Sequence, residues 1–213
     1  MKQKKNFCRA AALLAAFLLW TAAVCAVDVQ PIGPQGSPVG LAAVNRFFHT
    51  LTGVHMALYT ATDRLSLVPL GFVAGFALLG LCQWVRRKRL LLVDRDILLL
   101  GGFYALVLAV YAFFEVVPVN YRPVLIGGIA EVSYPSSTTM LVLCVVQTAV
   151  MQLKRRIQNN RCRRILCAAL TAFGGLMVAG RAVSGVHWFS DIVGGILLGS
   201  GLVRLYGALS DFE

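Results

Sequence analysis

Charge is the scarcest property of this sequence. Only 14% of its 213 residues are Asp, Glu, Lys or Arg, where an ordinary soluble domain carries about 25%. Hydrophobic residues make up 58%, and the mean hydropathy is +0.75. A chain so poor in charge cannot cover itself with a water-facing surface, so a polytopic membrane protein is the expected class. Acid is scarcer still: 9 Asp and Glu stand against 20 Lys and Arg, a formal charge of +11. An excess of that size can signal nucleic acid, but the basic residues stand in short clusters between apolar runs. That is a membrane-topology pattern and not a groove-binding surface, so no nucleic-acid partner is expected. None of the cysteines (Cys8, Cys25, Cys82, Cys144, Cys162 and Cys167) forms a Cys-x-x-Cys pair, which leaves no zinc or redox motif. They read as buried or reduced thiols. Repeats, low-complexity segments and a second domain are also missing, and 1–213 reads as one membrane domain.

What is present is a series of apolar runs. Lys2, Lys4, Lys5 and Arg9 precede the first, from about 10 to 27. It is either a first membrane helix or a signal peptide, since Val24-Cys25-Ala26 is a passable small-residue cleavage site. Its length, near the ~20 residues needed to span a bilayer, favours a retained helix. A Pro- and Gly-rich connection at 28–38 leads to an amphipathic stretch at 39–59, expected to lie on the outer membrane surface. Its His49 and His55 lack acidic partners in register and read as surface or packing residues. Further spans are expected at about 65–85, 97–119, 137–153, 165–180 and 190–209, giving an all-α bundle of six membrane helices. Arg86-Arg87-Lys88-Arg89, Lys154-Arg155-Arg156 and Arg161, Arg163 and Arg164 all fall on one side of it. By the positive-inside rule that side is cytoplasmic, with both termini, and 28–64, 120–136 and 181–189 face outward.

Between the last two runs lies Gly180-Arg181-Ala182-Val183-Ser184-Gly185-Val186-His187-Trp188-Phe189-Ser190-Asp191. On a helix, His187 and Asp191 share a face, and a carboxylate there can hold one ring nitrogen while the other meets a substrate. Arg181 adds a fixed cation with a fork of donors suited to phosphate oxygens. A second outward segment carries Arg122-Pro123 and then Tyr134-Pro135-Ser136-Ser137-Thr138. Ser136 or Ser137 would cap the following helix, whose free N–H groups and dipole make an anion site. These features converge on one membrane face.

The convergence resembles the type 2 phosphatidic acid phosphatase family, relatives of the vanadium haloperoxidases. Its members carry Lys-x6-Arg-Pro, Pro-Ser-Gly-His and Ser-Arg-x5-His-x3-Asp. The third motif matches as Arg181-x5-His187-x3-Asp191, with Gly180 in the serine position; the others match as Arg122-Pro123 and Pro135-Ser136. Order, spacing and topology agree over about 60–209, the expected phosphatase-like core. The resemblance implies that His187 takes the phosphoryl group and that Asp191 orients and polarises it. Arg122, Arg181 and Ser136, with Ser137 beside it, would bind phosphate oxygens. It implies a lipid phosphate substrate and neither metal nor cofactor; oligomeric state cannot be read.

Two positions depart from the family. Thr138 replaces the histidine that acts as general acid, a loss worth about 10²–10⁴-fold in rate. The chain is then a weak or inactive relative that binds or transports lipid phosphates, or its substrate needs no acid. A lipid diphosphate meets the second condition, because its leaving group is itself a phosphate with a second pKa of about 6. Glu115 replaces the motif lysine. Buried near the membrane it would be neutral and could stand in for the acid; otherwise it faces a polar gap at the end of the third span. Transfer to a lipid alcohol would use the same intermediate and is not separable from hydrolysis by sequence.

Overall fold

Eight α-helices carry the chain: α1 Lys2–Ala26, α2 Ala42–Thr52, α3 Met56–Leu65, α4 Leu67–Arg87, α5 Arg95–Val116, α6 Ser137–Arg156, α7 Asn160–Val183 and α8 Phe189–Leu209. The computed structural model describes residues 2–210, and side chains from Lys4 onward. Among them, pairing between extended segments is limited to isolated bridges. Six helical stretches are long and apolar enough to cross a membrane: Lys4–Ala26, Met56–Arg87, Arg95–Val116, Ser137–Arg156, Asn160–Val183 and Phe189–Leu209. The protein is an all-α, multi-pass membrane bundle.

α8 is the central helix. α1 runs antiparallel along it, so that Trp20 Nε1 donates to the Ser190 carbonyl at 3.0 Å while Leu14 packs beside Gly201. α6 lies on another side and α7 packs on α6. The core joins Phe17 and Val24 of α1, Leu100, Phe103 and Val107 of α5, Met140 and Cys144 of α6, and Leu198, Leu202 and Tyr206 of α8. Lipid tails are as apolar as these side chains, so burial alone does not bring membrane helices together; close packing does, and small residues permit it. Gly195 is the clearest case. A Cβ there would lie 2.8 Å from the Ser136 carbonyl oxygen, so its bare Cα lets α8 meet the first turn of α6. That junction holds Asp191 beside Ser136.

Two element boundaries differ from the sequence expectation, each for a local reason. The amphipathic stretch at 39–59 is not one surface helix. Gly53 adopts φ +66 and ends α2; α3 then runs through Ser66 into α4, so the second span is Met56–Arg87 and not 65–85. Tyr59, Thr62 and Asp63 thereby sit at the mouth of the bundle. The fifth span starts at Asn160 and not at 165, because the Asn159 side chain accepts from the Arg161 and Cys162 amides, an N-cap that draws the arginines into the helix.

Helix alternation leaves the basic clusters at one end of the bundle and the 117–136 and 184–188 connections at the other. At the basic end, Arg156 Nη2 donates to buried Asp96 at 2.7 Å and Nη1 to Asp94 at 3.4 Å. Gln83 Nε2 donates to Asp94 at 2.8 Å, fastening α4, α5 and α6 together.

Candidate active site

Each part of the site is fixed by a different local device. The connection between α5 and α6 folds as a hairpin: Tyr121 bridges Val132, the Arg122 amide donates to the Glu131 carbonyl at 2.9 Å and the Ser133 amide to the Asn120 carbonyl at 2.9 Å. Gly127 and Gly128, at φ +59 and +83, close its tip. The hairpin is pinned to α8 by Trp188 Nε1, which donates to the Tyr121 carbonyl at 2.8 Å. Trp188 in turn packs on His49, with ring centroids 5.5 Å apart. The turn after α7 is held from α2 and α3: the His55 amide donates to the Ser184 carbonyl at 2.9 Å. Gly185, at φ +67, passes so close to the Gly53 carbonyl oxygen that any Cβ would collide with it. His187 follows directly.

His187 is buried, and its Nε2 stands 3.3 Å from Arg122 Nη1. A guanidinium can only donate, so Nε2 is the acceptor and its lone pair is turned toward Arg122. The ring proton then belongs on Nδ1, which faces Asp191 Oδ2 at 3.7 Å. That separation is about half an ångström longer than a good hydrogen bond, and Nδ1 has no other partner. The Asp191 carboxylate is itself held by the Trp188 amide at 3.0 Å and by Asn120 Nδ2 at 3.1 Å. Buried Asn45 and Asn120 also bond Ser190 at 3.0 and 3.4 Å, steadying the first turn of α8. Burial holds the His187 imidazole below its ordinary value of 6.5; Asp191 opposes that shift and the charges of Arg122 and Arg181 add to it. The ring is therefore neutral at neutral pH, the state a nucleophilic role would need. In that role kcat/KM should stay level as pH falls towards 6.5 and decline only below it. A single-proton acid limb centred above pH 6.5 would contradict this.

Arg181 is 1% exposed. Its Nη2 donates to Thr138 Oγ1 and to Asp63 Oδ1, each at 2.9 Å, while Nε and Nη1 have no partner. The Tyr59 ring is shared by both guanidiniums, 4.8 Å from Arg181 Cζ and 5.4 Å from Arg122 Cζ. Ser136 is the N-cap of α6. Its amide donates to the Asp191 carbonyl at 2.9 Å and its hydroxyl donates to Thr139 Oγ1 at 3.0 Å. Both of its donors thus have protein partners in this structure. The amides of Ser137 and Thr138, in the first turn, have no helix carbonyl ahead of them and are the donors this helix end can offer. Glu115 is not brought to the site. It is exposed near the end of α5, beside Tyr111, Phe114 and Ser137 in a shallow recess, so the buried neutral carboxyl expected as a stand-in acid is absent from that position. Among the described residues, no group of three or more His, Cys, Asp or Glu could hold a metal ion.

The structure assembles Arg122, Thr138, Arg181, His187 and Asp191 at the end of the bundle away from the basic clusters. Tyr59, Asp63, Asn120 and Glu131 were missed by motif reading. Asp63 and Glu131 carried the one available signal, as rare acids in outward segments. The PAP2 superfamily profile matches residues 47–210, well over half of the chain and every residue of this constellation. The chain belongs to the PAP2 superfamily. This PAP2 protein is similar in structure to the first transmembrane PAP2-type phosphatidylglycerolphosphate phosphatase from Bacillus subtilis. The TM-score is 0.62 over 95% of this chain and 96% of that one, with 18% sequence identity. At that identity the likeness is one of fold. Comparison with curated proteins gives no significant sequence match. α1 and Asn45 lie outside the matched PAP2 segment, yet both bond the first turn of α8.

Proposed function

We propose that this PAP2 protein is an integral membrane phosphatase that hydrolyses lipid phosphates at the outer membrane face, preferring polyprenyl-type or other lipid diphosphates. The observation that carries the reading is Arg181. A guanidinium 1% exposed with Nε and Nη1 unpartnered leaves donors whose desolvation costs about 1–3 kcal/mol each, and the oxygens of a phosphoryl group would satisfy them. Arg122 and the α6 amino terminus add further donors around the same point, as phosphoryl transfer requires.

In the proposed reaction, His187 Nε2 attacks the terminal phosphorus as the bond to the bridging oxygen breaks. The lipid departs with one phosphate fewer, and a phosphohistidine remains. The positive charge that develops on the ring is shared through Nδ1–H with Asp191. Water then attacks phosphorus, the P–N bond breaks, and inorganic phosphate leaves as His187 returns neutral. Thr138 supports the diphosphate preference. Its Oγ accepts from Arg181, and an alcohol is too weak an acid at neutral pH to protonate an alkoxide, whereas a departing phosphate needs little help. The basic clusters at the opposite end of the bundle support an outward-facing site and a cytoplasmic amino terminus.

Phosphate release from a lipid panel tests the proposal. Turnover of diphosphates should exceed that of phosphatidate-type monoesters, and Thr138→His should raise monoester turnover by about 10²-fold or more while changing diphosphate turnover little. Equal wild-type rates on both classes would remove the substrate argument. Wild-type silence on every substrate would leave a lipid-phosphate-binding protein.

A further inference from the structure

Each arginine of the site already faces a carboxylate, yet keeps donors without a hydrogen-bond partner: Nε and Nη1 of Arg181 and Nε of Arg122. Arg181 Nη2 donates to Asp63 Oδ1 at 2.9 Å, and Arg122 Nε stands 2.9 Å from Glu131 Oε2. A guanidinium holds a phosphate oxygen at the same separation, about 2.7–2.9 Å. The partners differ in freedom. The side chains of Arg181 and Arg122 are 1% and 12% exposed, while those of Asp63 and Glu131 are 57% and 41% exposed. The cations are set in the protein and the carboxylates sit at the water's edge. With Asp191 included, three carboxylates face two guanidiniums around a histidine that burial keeps neutral. An anionic phosphate entering with all of them in place would meet no excess of positive charge.

We propose that Asp63 and Glu131 are placeholders for phosphate oxygens. They hold the arginines in binding geometry, turn out into solvent when the substrate phosphate enters, and turn back to expel inorganic phosphate once the phosphohistidine is hydrolysed. No covalent bond to either carboxylate is made or broken. The free Nε and Nη1 of Arg181 give an incoming phosphate its first hold before Asp63 moves. Neither acid belongs to the three motifs: Asp63 comes from α3 and Glu131 from the returning arm of the hairpin. The inference rests on the phosphate-site reading above, and it adds two residues that set how tightly the product is kept.

Asp63→Asn and Glu131→Gln test it, because each keeps the shape and an accepting oxygen while removing the charge. Binding of inorganic phosphate to the purified full chain in detergent, followed by titration calorimetry, reads the effect without needing turnover. Each substitution should lower the Kd by about three- to tenfold, the scale set by one nearby charge at a partly exposed site, and the double variant should lower it further. Asp28→Asn is the bulk-charge control: Asp28 is bonded to Gln30 and to the Ala43 amide and should leave the Kd unchanged. Unchanged or weaker binding in Asp63→Asn and Glu131→Gln would show that the acids merely position the arginines, overturning the proposal. So would equal tightening by Asp28→Asn. If no variant and no wild-type protein binds phosphate, the phosphate-site reading itself fails, and this inference with it.

Discussion

His187→Ala should reduce phosphate release by about 10⁴–10⁶-fold on every lipid that the wild type hydrolyses, the range seen when a covalent nucleophile is removed. Two features of the site set this expectation. Nε2 faces Arg122 as an acceptor, 3.3 Å away, and no second histidine reaches the site: His49 packs on Trp188 and His55 Nε2 pairs with the Thr52 carbonyl at 2.8 Å. The intermediate gives an independent readout. Brief exposure to substrate labelled in its terminal phosphate should leave an acid-labile, base-stable label on wild-type protein and none on His187→Ala. Hydrolysis that survives in the variant would exclude the phosphohistidine route.

Arg181→Met is the second large effect, and it should separate activity from stability. Removing the guanidinium should cost about 10²–10³-fold in kcat/KM, as losing a preorganised donor to a developing phosphoryl charge does elsewhere. Thermal stability in detergent should hold or rise. A buried charge with unsatisfied donors gives the fold little, and an apolar side chain of similar length often replaces it without loss. Asp63, 57% exposed in its pair with Arg181, can turn to water once its partner is gone. A collapse in melting temperature would mean that Arg181 is there to hold α3, α6 and α7 together and not to bind phosphate.

The contrast between those roles also explains what could be read from the sequence. The spans were legible because a bilayer demands long apolar runs, and the observed helices follow them except where a local cap or a positive φ intervenes, at Asn159 and Gly53. Arg181, His187 and Asp191 were legible from the motif's spacing, but the shared helix face expected for His187 and Asp191 is not how they meet: His187 lies in the connection before α8, and Trp188 between them is extended. Asp63 and Glu131 were not legible, since their pairing with Arg181 and Arg122 spans separate segments and no spacing rule encodes it. Glu115 misled for a related reason. It occupies the motif's lysine position, but its side chain is exposed near the end of α5, in a recess lined by Phe114, Val132 and Ser137. Ser136 is the cap that its place before an apolar run suggests: its Oγ accepts from the Thr139 amide, while its hydroxyl and amide donate to Thr139 Oγ1 and the Asp191 carbonyl.

The pairing of α1 with α8 has a consequence for how the protein is made. Trp20 and Ser190 are 170 residues apart in sequence, and Asn45 and Ser190 are 145 apart. Of the eight helices, α8 is the last to leave the ribosome, and Asp191 lies in its first turn. The packing of α1 in the bundle therefore cannot be completed until α8 has been made. Until then Asn45, Trp20 and the α6 cap have no Ser190 or Asp191 to grip. A chain halted before α8 would lack Asp191 and the Ser190 partner of Trp20 and Asn45, so the half of the site that arises early in the sequence has nothing to close upon until the end.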